Sequence, residues 1–505
     1  MKNESPPSVA SSPFDDPNDA DITLRSADGV DFHVYRAILG AASPIFKQMW
    51  TLPQATKDHP QIDDATLVSE DSTTLDRLLR FIYPTRDPDL ESDLQSVGAV
   101  LKAAAKYDIE YLEERLRKTL SAFDDPLRVY AIATSAHLGY EQEALQAVVE
   151  WCESDELSLS SYVPEMDDIS AGVYFRALQF YARHQNRDKR DCSLPGKYTF
   201  CYPEPSCAHS HPEKEQLVIP SPFDQPSPLT DIIVHSSDDH HFYANKAILT
   251  YASSVLADKI EDAMKSGPKS EDENCALHLN LSGRTLLHLL QLCHPAGAAP
   301  SLDDWDELTT VIDAAASYKM TRALEYAKSK WAERIAARPM QSYLFAMQRG
   351  WTADATTAAR YAMLLSSDDY IPEMERVSAS VYRRFLEYRQ KWREAVVKAS
   401  HVKFMTTLGT EERRYGSIYW SDEDVREWLE YQWHAVSLLC GAGLLCADTG
   451  RTQGGDGVQK RIEGLLFSAG HAWMGSMASG APQNMENVMV KVFQRILKVA
   501  SEIEL

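Results

Sequence analysis

The residues best suited to chemistry are Cys192, Cys201, Cys207, His209 and His211, which stand close together in the sequence. Thiolate and imidazole together suit zinc. Their spacing forms no two-by-two knuckle, so an ordinary loop without metal is expected. The acidic pairs Asp15-Asp16, Asp63-Asp64, Asp124-Asp125 and Asp368-Asp369 lie in turn-like contexts. There a carboxylate caps a helix more readily than it shares a proton with its neighbour. Gly454-Gly455-Asp456-Gly457 lacks the Gly-Lys-Ser/Thr ending that cradles phosphate, and reads as a turn. Trp420, Trp428 and Trp433, with Val425, Leu429 and Val436, form an apolar stripe at helical spacing that reads as core. The sequence holds no nucleophile elbow, no His-Glu-x-x-His, no dinucleotide fingerprint and no kinase set. Neither catalytic residues nor a cofactor are expected.

What must position such side chains is bounded by composition. The 505 residues exceed what one core serves, and 44% hydrophobic with 10% aromatic content is ordinary for folded domains. Acidic residues outnumber basic ones by 74 to 51, for a formal charge of −23. That field repels phosphate backbones and anionic lipid, so neither nucleic acid nor membrane is expected as a partner. Residues 1–20, rich in Ser, Pro and Asp, have no basic start and no apolar run, and are expected to be disordered rather than a secretory signal. The apolar patch around Ala435 to Ala447 is too short to cross a bilayer. Eight cysteines without a disulfide-framework spacing fit a reducing compartment, cytoplasmic or nuclear.

The organising feature is a repeat. Asp21-Ile-Thr-Leu, Phe32, Ala37-Ile38-Leu39 and Ala42-Ser43 return as Asp231-Ile-Ile-Val, Phe242, Ala247-Ile248-Leu249 and Ala252-Ser253, at an offset of 210. Ser12-Pro13-Phe14-Asp15 returns as Ser221-Pro222-Phe223-Asp224. Later, Tyr162-Val-Pro-Glu-Met166 with Ser170-Ala171 and Val173-Tyr174 returns as Tyr370-Ile-Pro-Glu-Met374 with Ser378-Ala379 and Val381-Tyr382. The copied block therefore runs over 12–187 and again over 221–399.

Within each copy, Ile22, Leu24, Phe32 and Val34 alternate about Asp28-Gly29, which predicts a hairpin; Ile232, Val234 and Phe242 repeat it. Ile38, Ala41, Ala42, Ile45, Phe46 and Met49 predict one amphipathic helix. A strand follows at Leu67-Val68 and at Leu277 to Leu281, then a helix through Leu75, Leu78, Leu79 and Ile82 that Pro84 stops, and then helical periods only. The fold class expected is α+β, predominantly helical. The boundaries expected are 21–121 and 229–335 for two mixed domains, 122–187 and 336–399 for their helical extensions, 188–228 for a linker and 400–505 for a C-terminal helical region.

In order, the segments Asp28-Gly29, Arg36-Ala-Ile-Leu39, Ser43-Pro-Ile-Phe46, Met49-Trp-Thr-Leu-Pro53, Leu78-Leu-Arg-Phe-Ile-Tyr-Pro84 and Ala104-Ala-Lys-Tyr107 resemble the BTB/POZ family, in the form abundant in basidiomycete fungi. That resemblance implies a protein-interaction scaffold. Its partners would be other proteins, among them a cullin or another BTB domain, with pairing of the chain's own two BTB-like domains as a further expectation. A cullin ubiquitin ligase adaptor is the concrete version; a self-associating or corepressor-recruiting regulator is the alternative. The cullin contact expected of the family is not obvious in Leu52-Pro53-Gln54. The resemblance also places Asp21 beside Arg36 and Asp231 beside Lys246, either as a partner-orienting pair or as an internal ion pair tethering strand to helix. The family's usual His is replaced by Tyr35 and by Asn245, which implies a strand-to-helix contact built differently. Both copies are expected to lack the exchanged N-terminal element of BTB homodimers.

Overall fold

A computed structural model describes residues 8–50, 65–90, 93–135, 138–153, 162–185, 199–201, 217–266, 275–295, 299–362, 369–392 and 394. The cysteines and histidines of the linker other than Cys201, the segment Leu52-Pro53-Gln54, the tryptophan stripe and the Gly454 turn lie outside these residues. The chain divides into two compact units: 1–204 with 369–390, and 205–368 with 391–505. The architecture is the expected α+β one, mostly helical with small sheets.

In the first unit β1 (Ser8–Val9), β2 (Ile22–Arg25), β3 (Val30–Val34) and β4 (Thr66–Leu67) form one sheet in the order β1-β3-β2-β4. The hairpin β2–β3 is antiparallel, with Ile22 opposite Val34 and Leu24 opposite Phe32. These four alternating side chains share the buried face, as the period-two pattern requires. Against it lie α1 (Arg36–Ala42), α2 (Pro44–Met49) and α3 (Ser72–Ile82), followed by α4 (Leu94–Lys106) and α5 (Glu110–Leu120). The extension is α6 (Pro126–Ala133), α7 (Glu141–Glu153), a 3₁₀ turn at Pro164–Asp167 and α8 (Ala171–Gln185).

In the second unit β5 (Ile232–His235), β6 (His241–Ala244) and β7 (Cys275–His278) form a sheet in the order β6-β5-β7, with β5–β6 antiparallel and β5–β7 parallel. The helices α9 (Lys246–Ala252), α10 (Ser254–Ser266), α11 (Gly283–Cys293), α12 (Trp305–Ser317) and α13 (Thr321–Ala332) follow in the same sequence order as in the first copy. The extension here is α14 (Pro339–Gln348) and α15 (Thr352–Ala362). A 3₁₀ turn at Pro372–Arg376 and α16, described over 379–392, come next, and of these residues 369–390 belong to the first unit.

Three expectations change. Residues 8–20 are ordered rather than disordered: Ser8–Val9 pairs in parallel with β3 of its own chain, and Phe14 is fully buried against Phe32 and Tyr83. The supposed linker supplies Phe200, fully buried edge-on to Tyr130 and Phe180, with its backbone N–H and that of Cys201 donating to the Glu141 carboxylate. One anchoring aromatic leaves no periodic trace, so neither segment carried a pattern.

The third concerns the single helix over residues 38–49, which is broken in two. Ser43 takes an extended backbone, φ −140° and ψ 121°, caps the second helix through a 3.0 Å bond from the Phe46 N–H, and donates its own hydroxyl proton to the Tyr107 carbonyl. Proline at position 44 disfavours a helical Ser43 and suits the first helical position. The second copy shows that proline is not required. Ser253, followed by Ser254, breaks the helix in the same way, accepts from the Leu256 N–H at 3.0 Å and donates to the Tyr318 carbonyl. Both serines are buried, so losing either hydroxyl leaves two backbone groups without a partner. Replacing Ser43 or Ser253 by Ala is expected to destabilise its unit by about 2 kcal/mol, whereas Pro44→Ala costs less than about 1 kcal/mol. Urea unfolding of the three variants measures the difference.

Candidate partner-binding surface

The two aspartates singled out from the sequence lead β2 and β5 but do not pair with the basic side chains. The Asp21 carboxylate accepts the backbone N–H of Arg36 at 2.7 Å, and Asp231 accepts that of Lys246 at 2.6 Å. The backbone N–H of each aspartate in turn donates to the last residue of the facing strand, Val34 and Ala244. Each carboxylate therefore supplies one of the acceptors that a helix start lacks, and puts negative charge at the positive end of the helix. The tether between strand and helix exists, made by a main-chain donor instead of an ion pair. Arg36 is exposed, and its guanidinium remains available to solvent.

The residues at the position of the family histidine make different contacts in the two copies. Tyr35 donates its hydroxyl proton to Asp19, while its backbone N–H donates to the Tyr83 hydroxyl at 2.7 Å. Asn245 instead caps α9 directly, accepting from Ala247 at 2.9 Å and Ile248 at 3.3 Å, and donates to the Leu229 carbonyl at 2.7 Å.

A surface that sequence reasoning missed lies on the outer side of α9. Ala247, Ile248, Tyr251, Cys293, Met320 and Arg322 line an open groove of about 540 Å³ between α9, the end of α11 and the start of α13. Tyr251 is 97% exposed beside it. The mixture of aliphatic floor, aromatic rim and one guanidinium is the composition that recurs at protein-binding surfaces. At the equivalent positions the first copy has Ala41 in place of Tyr251 and Tyr111 in place of Arg322. Tyr111 is 52% exposed, and its hydroxyl is tied to the Phe81 carbonyl at 3.0 Å. The aromatic residue thus stands on opposite walls in the two copies. Aligning the copies residue by residue could have found this exchange.

The sheets also differ in chemistry. Arg25 and Asp31 face each other across β2–β3 in a bidentate ion pair, at 2.6 and 2.8 Å. Their counterparts are His235 and His241, with Nδ1 atoms 2.7 Å apart, and His278 stacks on His235 with ring centroids 4.5 Å apart. Burial, with His241 and His278 alongside, pushes the pKa of His235 below its ordinary value. Among the described residues no group of three or more His, Cys, Asp or Glu could hold a metal ion. Cys201, the described member of the linker cluster, has its thiol pushed up to about 12 by burial and by Glu141. It is a protonated packing residue. Of the acidic pairs, Asp125 caps α6 through the Arg128 N–H at 3.3 Å, as expected. Among the described residues no helix is long and apolar enough to cross a membrane.

Comparison with known families gives the class. The model of the BTB/POZ domain matches residues 12–123 and 222–333. The chain thus carries two BTB/POZ domains in tandem, and both matches start early enough to include Phe14 and Phe223. No curated protein matches the chain.

Two outcomes are expected. Asp21→Ala and Asp231→Ala each lower stability by about 1 kcal/mol, while Arg36→Ala and Lys246→Ala stay within about 0.5 kcal/mol, measured by urea unfolding. The depressed pKa of His235 means that the folded form takes up a proton less readily than the unfolded chain. Its contribution is therefore complete above the unfolded value of about 6.5 and falls as pH drops below it. Amide protection factors in β5–β6 should decrease between pH 7.5 and 5, and those in β2–β3 should change less.

Proposed function

We propose that this chain is a non-enzymatic scaffold that recruits other proteins through its two BTB/POZ domains, and that it serves as an adaptor bridging a cullin ubiquitin ligase to a target. BTB/POZ domains are protein–protein interaction modules, often cullin adaptors, which supports the general reading. The observation that carries it is the open groove beside α9, where Tyr251 and Arg322 offer an aromatic anchor and a donor on a surface of negative overall charge. In this reading Arg36 and Lys246, whose helix starts are already capped by Asp21 and Asp231, are free to orient an acidic partner segment. The half-buried or buried free thiols Cys152, Cys201 and Cys293 fit a reducing cytoplasmic or nuclear setting.

A second reading, a self-associating or corepressor-recruiting regulator, draws support from a different observation. Ser170 and Ser378, equivalent residues of the two copies, form a backbone bridge with each other. Binding of the purified full chain to purified cullin N-terminal domains separates the two readings. The adaptor reading expects a complex that Tyr251→Glu weakens by about tenfold or more, as loss of an interface anchor does. A chain that binds no cullin while forming concentration-dependent oligomers supports the regulator instead.

A further inference from the structure

The bridge between Ser170 and its duplicate Ser378 is the centre of a contact between the two copied segments. At the offset of 208 that relates these segments, Ala171 corresponds to Ala379 and Ile169 to Val377. The Ala171 N–H donates to the Val377 carbonyl at 2.8 Å, and the Ala379 N–H donates to the Ile169 carbonyl at 2.8 Å. Tyr174 meets Tyr382, its duplicate, edge-on with centroids 6.4 Å apart. Tyr370 packs on Phe175 at 6.3 Å, and Tyr162 lies 5.4 Å from the guanidinium of Arg383, the residue equivalent to Phe175. Each tyrosine also donates to the carboxylate of its own turn, Tyr162 to Asp167 at 2.7 Å and Tyr370 to Glu375 at 3.3 Å. Residue i touching j wherever j touches i defines an isologous interface of two-fold symmetry. It is formed inside the first unit, by residues 162–185 and 370–390.

The symmetry fails where the carboxylates sit. Asp167 faces Ser380, whose hydroxyl, with that of Tyr162, holds the Asp167 carboxyl below its ordinary pKa. Glu375, one methylene longer, faces Gly172. A Cβ at position 172 would overlap the Glu375 carboxylate. That carboxylate accepts from the Ser170 hydroxyl at 2.5 Å and pairs with Arg176. Arg176 is buried, and its remaining bond runs from Nε to the Phe200 carbonyl at 2.8 Å, with Nη2 unpartnered. Moving Glu375 aside would strip a buried guanidinium of its counter-charge.

We infer that residues 162–185 and 370–390 are a self-complementary docking element whose partner is its own duplicate, and that the Gly172–Glu375 pair dictates which copy sits on which side. Two first-copy elements brought together would set Asp167 opposite Gly172, too short to reach Arg176. Two second-copy elements would drive Glu375 into the Cβ of Ser380. Unlike copies alone satisfy both corners, which is discrimination by steric exclusion as well as by attraction. The inference does not rest on the adaptor reading, since the element lies outside the BTB/POZ match.

The test is a double-mutant cycle in the full chain, read by hydrogen exchange at the Ala171 and Ala379 amides, which donate across the interface. Gly172→Ser is expected to speed exchange at both amides by about tenfold or more. Serine is the better helix former, so intrinsic propensity predicts the opposite. Adding Glu375→Asp reproduces the Asp167–Ser380 corner, and G172S/E375D should exchange more slowly than Gly172→Ser alone. Unchanged protection in β2–β3 shows in each variant that the BTB/POZ fold persists. Wild-type exchange in Gly172→Ser, or a double variant that exchanges as fast as Gly172→Ser or faster, overturns the inference.

Discussion

One buried hydroxyl in each copy holds the mixed domain together. Ser43 and Ser253 sit where a helix is broken into two, and each joins the start of the second piece to the carbonyl of a residue more than sixty positions later, Tyr107 or Tyr318. A short hydroxyl satisfies a donor and an acceptor at once inside apolar surroundings. That fixes the angle between α1 and α2, or α9 and α10, and ties the second piece to the C-terminal end of α4 or α12. In the first copy the ring stack of Phe46 on Tyr107, with centroids 4.2 Å apart, forms beside this bond. The exposed side of α9, and with it the groove, inherits its position from the same bond.

Much of this was legible in the sequence. The alternation in Ile22, Leu24, Phe32 and Val34 and the i, i+3, i+4, i+7 run through Leu75 to Ile82 are periodic signals, and they mark the hairpin and α3. The repeat located both domains and showed that the extension is part of the copied block. What escaped was aperiodic. Phe14 and Phe200 each anchor an irregular segment by one ring, and no window average registers a single residue. The break at Ser43 was hidden because the apolar spacing continues across it, although the polar serine ahead of Pro44 was a local clue.

The candidate site was legible only in part. Asp21 and Asp231 were found because they recur, yet recurrence cannot tell a side-chain partner from a backbone one. The charge of Arg36 and Lys246 suggested an ion pair, while the geometry uses their N–H groups. The groove needed the fold, since Tyr251, Cys293 and Arg322 come from three helices. The exchange of Ala41 and Tyr111 for Tyr251 and Arg322 leaves the two domains alike in backbone and different in what they present. Duplication here has kept the scaffold and separated the surfaces.

The first unit is discontinuous, closing only when residues 369–390 join residues 1–204. A chain made from its N-terminus must therefore synthesise all of residues 205–368 before that closing segment exists. At ordinary translation rates the delay is on the order of ten to thirty seconds. During that interval Arg176 has no Glu375 and Tyr174 has no Tyr382. The unit that begins first is thus completed only after most of its neighbour has been made.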